Sequence, residues 1–331
     1  MEIDAYLPSV DVTEVGDLAA QAETQGFGGL WVTESSHSPY TLLTQAASET
    51  ATIDVGSAIA VAFPRSPMVT AYTAWDIQQL SGGRLVLGLG TQVKGHMERR
   101  FSVDFEWERP GPRLREYVEV LQHLWDAWAT GGEVGYEGEF YQITLCPDQW
   151  TPDPIDAPAP EVYVAGVNPF NLKLAGHLCD GVHVHPLHSP EYVAEEVVPN
   201  VAAGAEIGDR DPSEVTLATQ VMAITGDEEE RAAARERARQ QIAFYGSTRT
   251  YETIFAVHGW EDVVADLHDL STQGRWDEMG DLITDEMLAA FTVEADWPDL
   301  RDAIEDRYEH VDRVSLYTPF DGRDRWRQLV G

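Results

Sequence analysis

Ile53-Asp54-Val55-Gly56-Ser57-Ala58-Ile59-Ala60-Val61-Ala62, a helical stretch from Pro67 to Leu80, and then Ser81-Gly82-Gly83-Arg84-Leu85-Val86-Leu87-Gly88-Leu89-Gly90 form one strand, helix, strand unit. Two short apolar runs joined by a helix-length segment with a glycine stop are the mark of a parallel sheet with helices outside it. Upstream the same rhythm holds: Ile3 to Leu7, a helix around Val12 to Gln25 ended by Gly26, the run Gly29 to Thr33, and a helix from Tyr40 to Thr50. Downstream, Arg113 to Trp128 is amphipathic, with Leu114, Val118, Leu121, Leu124 and Trp125 on one face. Glu133 to Leu145, with Gly135 and Gly138 among aromatic residues, reads as a hairpin. The prolines between 152 and 160 mark a loop. Val162 to Ala165, a helix from Asn168 to Cys179, Gly181 to His185, a helix starting near Pro190 and the strand Val215 to Ile224 then resume the alternation.

There the rhythm breaks. Glu228 to Phe244, Tyr251 to His258, Glu261 to Gln273 and Asp285 to Phe291 are all helical in pattern, before a helix from Pro298 to His310 and a last strand from Asp312 to Tyr317. Eight strands predict an α/β fold, a (β/α)8 TIM barrel in a single domain over residues 1–331. It carries a helical insertion before the last strand and a small hairpin insertion after helix four. An open doubly wound sheet is the alternative.

The chain of 331 residues carries 57 Asp and Glu against 22 Lys and Arg, a formal charge of −35, and its lysines are Lys94 and Lys173 alone. Such an excess repels itself unless salt screens it, and a few molar salt shortens the Debye length to below ~3 Å. The charge therefore reads as adaptation to a salty cytoplasm. An acidic disordered chain is excluded, because the carboxylates are interleaved with 43% hydrophobic residues. Nucleic acid and anionic membranes are excluded as partners, since phosphate backbones are held by clustered Lys and Arg. No apolar run reaches the ~18 residues of a membrane span, and Met1 to Tyr6 reads as a strand, not a signal peptide. The expectation is a soluble, cytoplasmic protein. Cys146 and Cys179 stand in unrelated contexts and support neither a disulfide framework nor a zinc site.

A parallel barrel places its chemistry at the C-terminal strand ends. After strand two comes Glu34-Ser35-Ser36-His37, after strand four Thr91-Gln92-Val93-Lys94-Gly95-His96, after strand five Gly166-Val167-Asn168-Pro169, and after strand six His185-Pro186-Leu187-His188. Gly88-Leu89-Gly90 is not a dinucleotide fingerprint, because Val93 stands at the third glycine position. Ala165-Gly166-Val167-Asn168 opening a helix suits a phosphate, where free N–H groups meet an anion and glycine allows close approach. Lys94, His96, Arg99 and Arg100 admit two readings: a rim for an anion, or partners of Asp104, Glu106 and Glu108. His183 and His185 alternate along a strand and point the same way. No carboxylate with ligand spacing accompanies them, so a metal is the weaker reading. His185 lining the pocket with His183 packed deeper is the stronger. His37, just past a strand end, is the other acid/base candidate. Phe63, Trp107 and Trp31 are candidates for an apolar substrate pocket.

This ordered set resembles the luciferase-like monooxygenase superfamily, in particular its F420-dependent oxidoreductase branch. The matching pieces include Gly26-Phe27-Gly28-Gly29-Leu30-Trp31-Val32, Val55 to Ile59, Ser81 to Gly90, Arg113-Leu114-Arg115-Glu116-Tyr117-Val118, Tyr136 to Tyr141, Val162 to Asn168 and Ala175 to Gly181. Gln240 to Met279 resembles a subgroup of mostly uncharacterised members. The resemblance implies coenzyme F420, or FMN as the alternative, and hydride transfer to or from a small organic substrate: an alcohol, aldehyde, ketone or enone. It implies a non-prolyl cis peptide at Ala58-Ile59 behind the ring. It also implies cofactor contacts from Ser35, Ser57, Thr91, Gln92 and His96, a phosphate site at Ala165, Gly166, Val167, Asn168 and Pro169, and a homodimer. The sugar-phosphate dehydrogenases of the branch carry an Asp-His pair after strand two, where this chain has Ser35 and Ser36 with His37 one residue late. Their acidic proton donor after strand four is matched by Val93, so proton delivery falls to His37 or His185. An FMN-dependent monooxygenase is the alternative activity, and a binding protein without cofactor on the same barrel is the second alternative.

Overall fold

The computed structural model describes residues 1–103, 107 and 109–331. Eight parallel strands close on themselves: β1 (Glu2–Leu7), β2 (Gly29–Val32), β3 (Asp54–Ser57), β4 (Leu85–Gly90), β5 (Glu161–Gly166), β6 (Gly181–Val184), β7 (Thr216–Ile224) and β8 (Arg313–Leu316). β8 returns to β1 with Glu2 opposite Arg313, which seals the cylinder. The predicted barrel is the fold, and the open sheet is excluded by this closure.

The helices outside are α1 (Val15–Gln25), α2 (Pro39–Glu49), α3 (Pro67–Ser81), α4 (Pro110–Thr130), α5 (Pro169–Leu178) and α6 (Val198–Ile207), the last entered through a π-helical turn at Val193–Val197. Gly26 and Gly82 end α1 and α3 with φ of 95° and 68°, the left-handed cap that glycine adopts without strain. The buried carboxylate of Glu116 on α4 accepts the N–H groups of Glu139, Phe140 and Tyr141 at 2.7–3.0 Å. It thereby pins the predicted hairpin, whose paired residues are Tyr136–Glu137 and Gln142–Ile143.

Between β7 and β8 lie α7 (Glu228–Gly246), shorter helices at Glu252–Ala256, Glu261–Thr272 and Asp285–Phe291, and α8 (Leu300–Arg307). The helical insertion was legible in sequence. Two short elements were not: a helix at Lys94–Arg99, and a strand at Thr292–Glu294 that pairs with the far end of β7. The nine-residue β7 outruns its barrel neighbours, so its exposed tip recruits this extra strand.

Strand alternation sends one set of side chains inward. Tyr6, Trp31, Val86, Tyr163 and Ala218 meet there, with Ala58 beside them. Trp31 packs edge-on against His183 at 5.0 Å, and a methyl group at Gly56 or Gly88 would collide with the Trp31 ring or the Ser57 carbonyl respectively. Glycine in β3 and β4 therefore makes room for two large rings in one narrow lumen. At the closed end Arg313 is held by Asp4 at 2.9 and 3.0 Å and by Asp54 at 2.6 Å, while the Trp31 indole N–H donates to Asp4 at 2.8 Å. Burial works against the Arg313 charge, but the two carboxylates outweigh it and hold its pKa above the ordinary value. Among the described residues no helix is long and apolar enough to cross a membrane.

Candidate active site

The open end of the barrel is built where β2, β3 and β4 finish. The peptide between Ala58 and Ile59 is cis. Its surroundings are clamped by hydrogen bonds: the Thr33 hydroxyl donates to the Ala58 carbonyl at 2.7 Å, the Ser57 hydroxyl to the Gly88 carbonyl at 2.8 Å, and the Glu34 N–H to the Ile59 carbonyl at 3.2 Å. The buried Glu34 carboxylate receives the Val61 N–H at 2.7 Å and a two-pronged Arg65 at 2.8 and 2.9 Å, which fixes the chain on the far side. A side chain at Gly90 would run into Ile59, with the Ala165 methyl beside it. Gly90 thus makes room for the Ile59 side chain that follows the cis peptide. Thr91 and Gln92 continue from Gly90, Gln92 with φ 59°.

At the end of β5, Asn168 caps α5 without using its side chain on the helix; its amide instead donates to the Thr250 carbonyl at 3.2 Å, across to the insertion. The first turn of α5 contains no acidic residue, as is also the case for α2, α3, α4 and α6, whereas α7 has three. Uncapped N–H groups and the positive end of the helix dipole remain available to an anion. A side chain at Gly166 would strike Leu172 and Val182, so glycine there serves strand-to-helix packing.

His185 faces inward as predicted, and His183 lies deeper between Trp31 and Tyr163. The His185 ring sits 4.3 Å from Tyr251 and 4.5 Å from Tyr245, both from the insertion. Burial, then the neighbouring His188, pushes its pKa down to about 3. Its Nδ1 accepts the Leu187 N–H at 3.1 Å, so a neutral His185 carries its proton on Nε2. His37 stands half-exposed on the outer rim. There it adds to the lowered pKa of Asp11, an effect led by the N–H and hydroxyl of Thr13. The two histidines are thus in different places, one under aromatic cover and one at the edge.

The cationic cluster is only partly an anion rim. Lys94 pairs with Glu98 at 3.6 Å within its own helix, Arg99 reaches the Gly95 carbonyl at 3.4 Å, and Arg100 donates to the Ser35 carbonyl and stacks on Phe101. His96 is exposed and Ser35 donates to the Pro8 carbonyl at 2.7 Å. The expected partners Asp104, Glu106 and Glu108 lie outside the described residues. Phe63 and Trp107 do meet, edge-on at 6.1 Å. Trp31 is corrected out of that apolar set, since it fills the barrel interior and bonds to Asp4. Among the described residues no three His, Cys, Asp or Glu stand together as a metal-holding group.

Sequence reasoning passed over a group of hydroxyls. Tyr245 and Tyr317 share a hydrogen bond at 2.7 Å, Tyr317 stacks on Tyr6 at 6.4 Å, and the Tyr6 hydroxyl lies 3.2 Å from that of Thr33. Tyr6 and Tyr317 end the first and last strands in the same inward alternation as Asp4 and Arg313, which was the available signal. Tyr245 and Tyr251 come from the insertion and carry no such periodicity.

The chain matches a known family model, luciferase-like monooxygenase, over residues 3–313. The chain belongs to this family. An uncharacterised protein of Mycobacterium tuberculosis is 41% identical over 316 residues, 95% of this chain and 92% of that protein. A 5,10-methylenetetrahydromethanopterin reductase of Archaeoglobus fulgidus is 31% identical over 297 residues, 87% of this chain and 84% of that one. In fold, the coenzyme F420 dependent tetrahydromethanopterin reductase of Methanopyrus kandleri superposes with a TM-score of 0.79 at 23% identity, covering 99% of this chain and 96% of that one. The protein is an enzyme of an oxidoreductase and monooxygenase family.

Proposed function

We propose that this luciferase-like protein is an F420-dependent oxidoreductase that moves a hydride between the deazaflavin and an organic substrate. The observation that carries the reading is the start of α5. This helix N-terminus is uncapped and free of carboxylates, and it follows the small residues Ala165 and Gly166, with Gly90 beside Ala165. A phosphate and a planar ring are what such a pair of features fits. Likeness in fold to a coenzyme F420 dependent reductase, and in sequence to a putative coenzyme F420-dependent oxidoreductase of Mycobacterium tuberculosis, favours the deazaflavin over FMN.

When bound, the cofactor supplies the hydride-carrying carbon. The chain's own residues bind, orient and dry the site. The residues Ala165 to Pro169 meet the phosphate; Ser57, Ala58 and Ile59 back the ring; Thr91, Gln92 and His96, with Ser35, edge it. His185, neutral and protonated on Nε2, donates a hydrogen bond into the mouth without gaining or losing charge near pH 7. His37, with access to solvent, is the exchangeable acid or base. Substrates to be tried are alcohols, aldehydes, ketones and enones, and the methylene-tetrahydropterin named for the relative.

Titration of the purified protein with oxidised F420 and with FMN, followed by fluorescence, tests the reading. F420 is expected to bind below about 1 mM, in the range of ordinary enzyme ligands, and Ala165→Leu to abolish that binding while the fold persists. Binding of FMN alone transfers the site to monooxygenase chemistry; binding of neither removes the reading.

A further inference from the structure

On the β7–β8 side of the mouth lies a cavity of about 620 Å³ that the preceding assignment does not use. Met222 of β7 and Tyr317, the residue after β8, line it from the barrel, and α7 lines it from the insertion with Arg237, Gln240 and Phe244. Tyr317 is shared: it borders this cavity, and its hydroxyl bonds to Tyr245, whose ring covers His185. The cavity therefore adjoins the aromatic cluster that covers His185.

Two features of its rim are unusual for this molecule. The first is a pair of exposed rings, Phe244 at 53% and Trp276 at 47%, with centroids 6.1 Å apart and inclined at 41°. Aromatic surface left open at the edge of a cavity suits a flat ring that slides between or over it. The second is Arg237. Along α7, Arg231, Arg235 and Arg239 follow each other at four-residue steps on one face, and each meets a carboxylate, respectively Asp296, Glu294 and Asp285. Arg237 lies on another face, lines the cavity, and has no ion-pair or hydrogen-bond partner among the described residues. The one carboxylate on the lining, Glu236, receives the Gln240 amide at 3.2 Å. Arg237 is exposed to solvent, and a guanidinium without a carboxylate partner at the rim of an aromatic cavity is complementary to an incoming anion.

We propose that this cavity binds a ring-bearing organic anion, the distal end of the enzyme's substrate, with the ring against Phe244 and Trp276 and the carboxylate or phosphate on Arg237. The proposal rests on the F420-oxidoreductase reading for the word substrate, but the site itself is separately testable. Calorimetric titration of the F420-loaded protein at one fixed ionic strength compares 2-naphthoate with the neutral 2-naphthamide. Wild type should favour the acid by about tenfold, the equivalent of one charge-assisted contact. Arg237→Gln should lower naphthoate affinity to that of the amide and leave the amide unchanged, whereas Trp276→Ala should weaken both alike. Equal binding of acid and amide by wild type, or a preference that survives Arg237→Gln, overturns the proposal. So does displacement of F420 by naphthoate, which would make the cavity part of the cofactor site. A change of oligomeric state in Trp276→Ala, seen by light scattering, would assign the rings to an interface between copies and overturn it as well. If F420 fails to bind while the naphthoate discrimination holds, the cofactor assignment falls and the anion site stands.

Discussion

Along β8 three inward residues, Arg313, Ser315 and Tyr317, run from the closed end of the barrel to its mouth and meet three different fates. Arg313 is enclosed by Asp4 and Asp54 and lies under the Trp31 ring at 5.1 Å. Ser315, in register with Gln220, is buried with no hydrogen-bond partner for its hydroxyl among the described residues. Tyr317 shares its hydroxyl with Tyr245 of the insertion and borders a cavity. The same strand and the same alternation thus yield polar groups with internal partners at both ends and one without a partner between them. A polar group whose partners are all internal contributes to the fold; one left without them is positioned for something that arrives.

The largest effect that bears on this contrast is expected at the closed end. Arg313→Met should leave Asp4, 1% exposed, and Asp54 without their cation and cost about 3–5 kcal/mol, read as a lower urea midpoint. F420 affinity of the fraction that remains folded should not change. If stability holds within about 1 kcal/mol, the closed end is not the structural anchor described here.

The next effect is in pH. His183, His185 and His188 are all pushed down by burial, to about 3, 3 and 4. The native state then binds fewer protons than the unfolded chain, whose histidines titrate near ~6.5. Their contribution to stability is complete above that value and is lost as the pH falls from it through 4 and 3. The slope is at most about 1.4 kcal/mol per pH unit for each histidine. Unfolding free energy measured from pH 7.5 downward should show this fall, and His188→Asn should make it shallower. An unchanged slope in the variant would mean that carboxylates alone govern the acid limb.

How much of this was legible in the sequence follows from what each feature depends on. The barrel was legible because strand and helix periods are local, and so was the shared direction of His183 and His185. Helix ends at Gly26 and Gly82 were legible for the same reason. The neutrality of His185 was not, because Tyr245 and Tyr251 reach it from an insertion about sixty residues later. Nor was the isolation of Arg237, which shows only once the partners of Arg231, Arg235 and Arg239 are known. Trp31 was misplaced because its inward position was visible but its depth was not, and depth separates a lumen filler from a pocket wall. The packing role of Gly166 was not legible, because Leu172 and Val182 converge on it only in three dimensions.

That last point can be tested directly. Gly166→Ala inserts a methyl group against Leu172 and Val182 and should cost about 1–3 kcal/mol by overpacking. If its role is packing alone, F420 should bind the folded variant as it binds wild type. A loss of affinity without loss of stability would favour the ligand reading of this glycine.

The smallest expected effect is the most pointed. Ser315→Ala removes a buried hydroxyl that hydrogen-bonds to nothing among the described residues, and so removes a desolvation cost without breaking a contact. The variant should be as stable as wild type or more stable by up to about 1 kcal/mol. The opposite sign would show that this hydroxyl does have a partner in solution, a bound water being the usual one in a polar gap of this kind. Ser315 would then belong with Arg313 in the satisfied part of the barrel, and the boundary between its structural and functional ends would move one residue pair along β8 toward Tyr317.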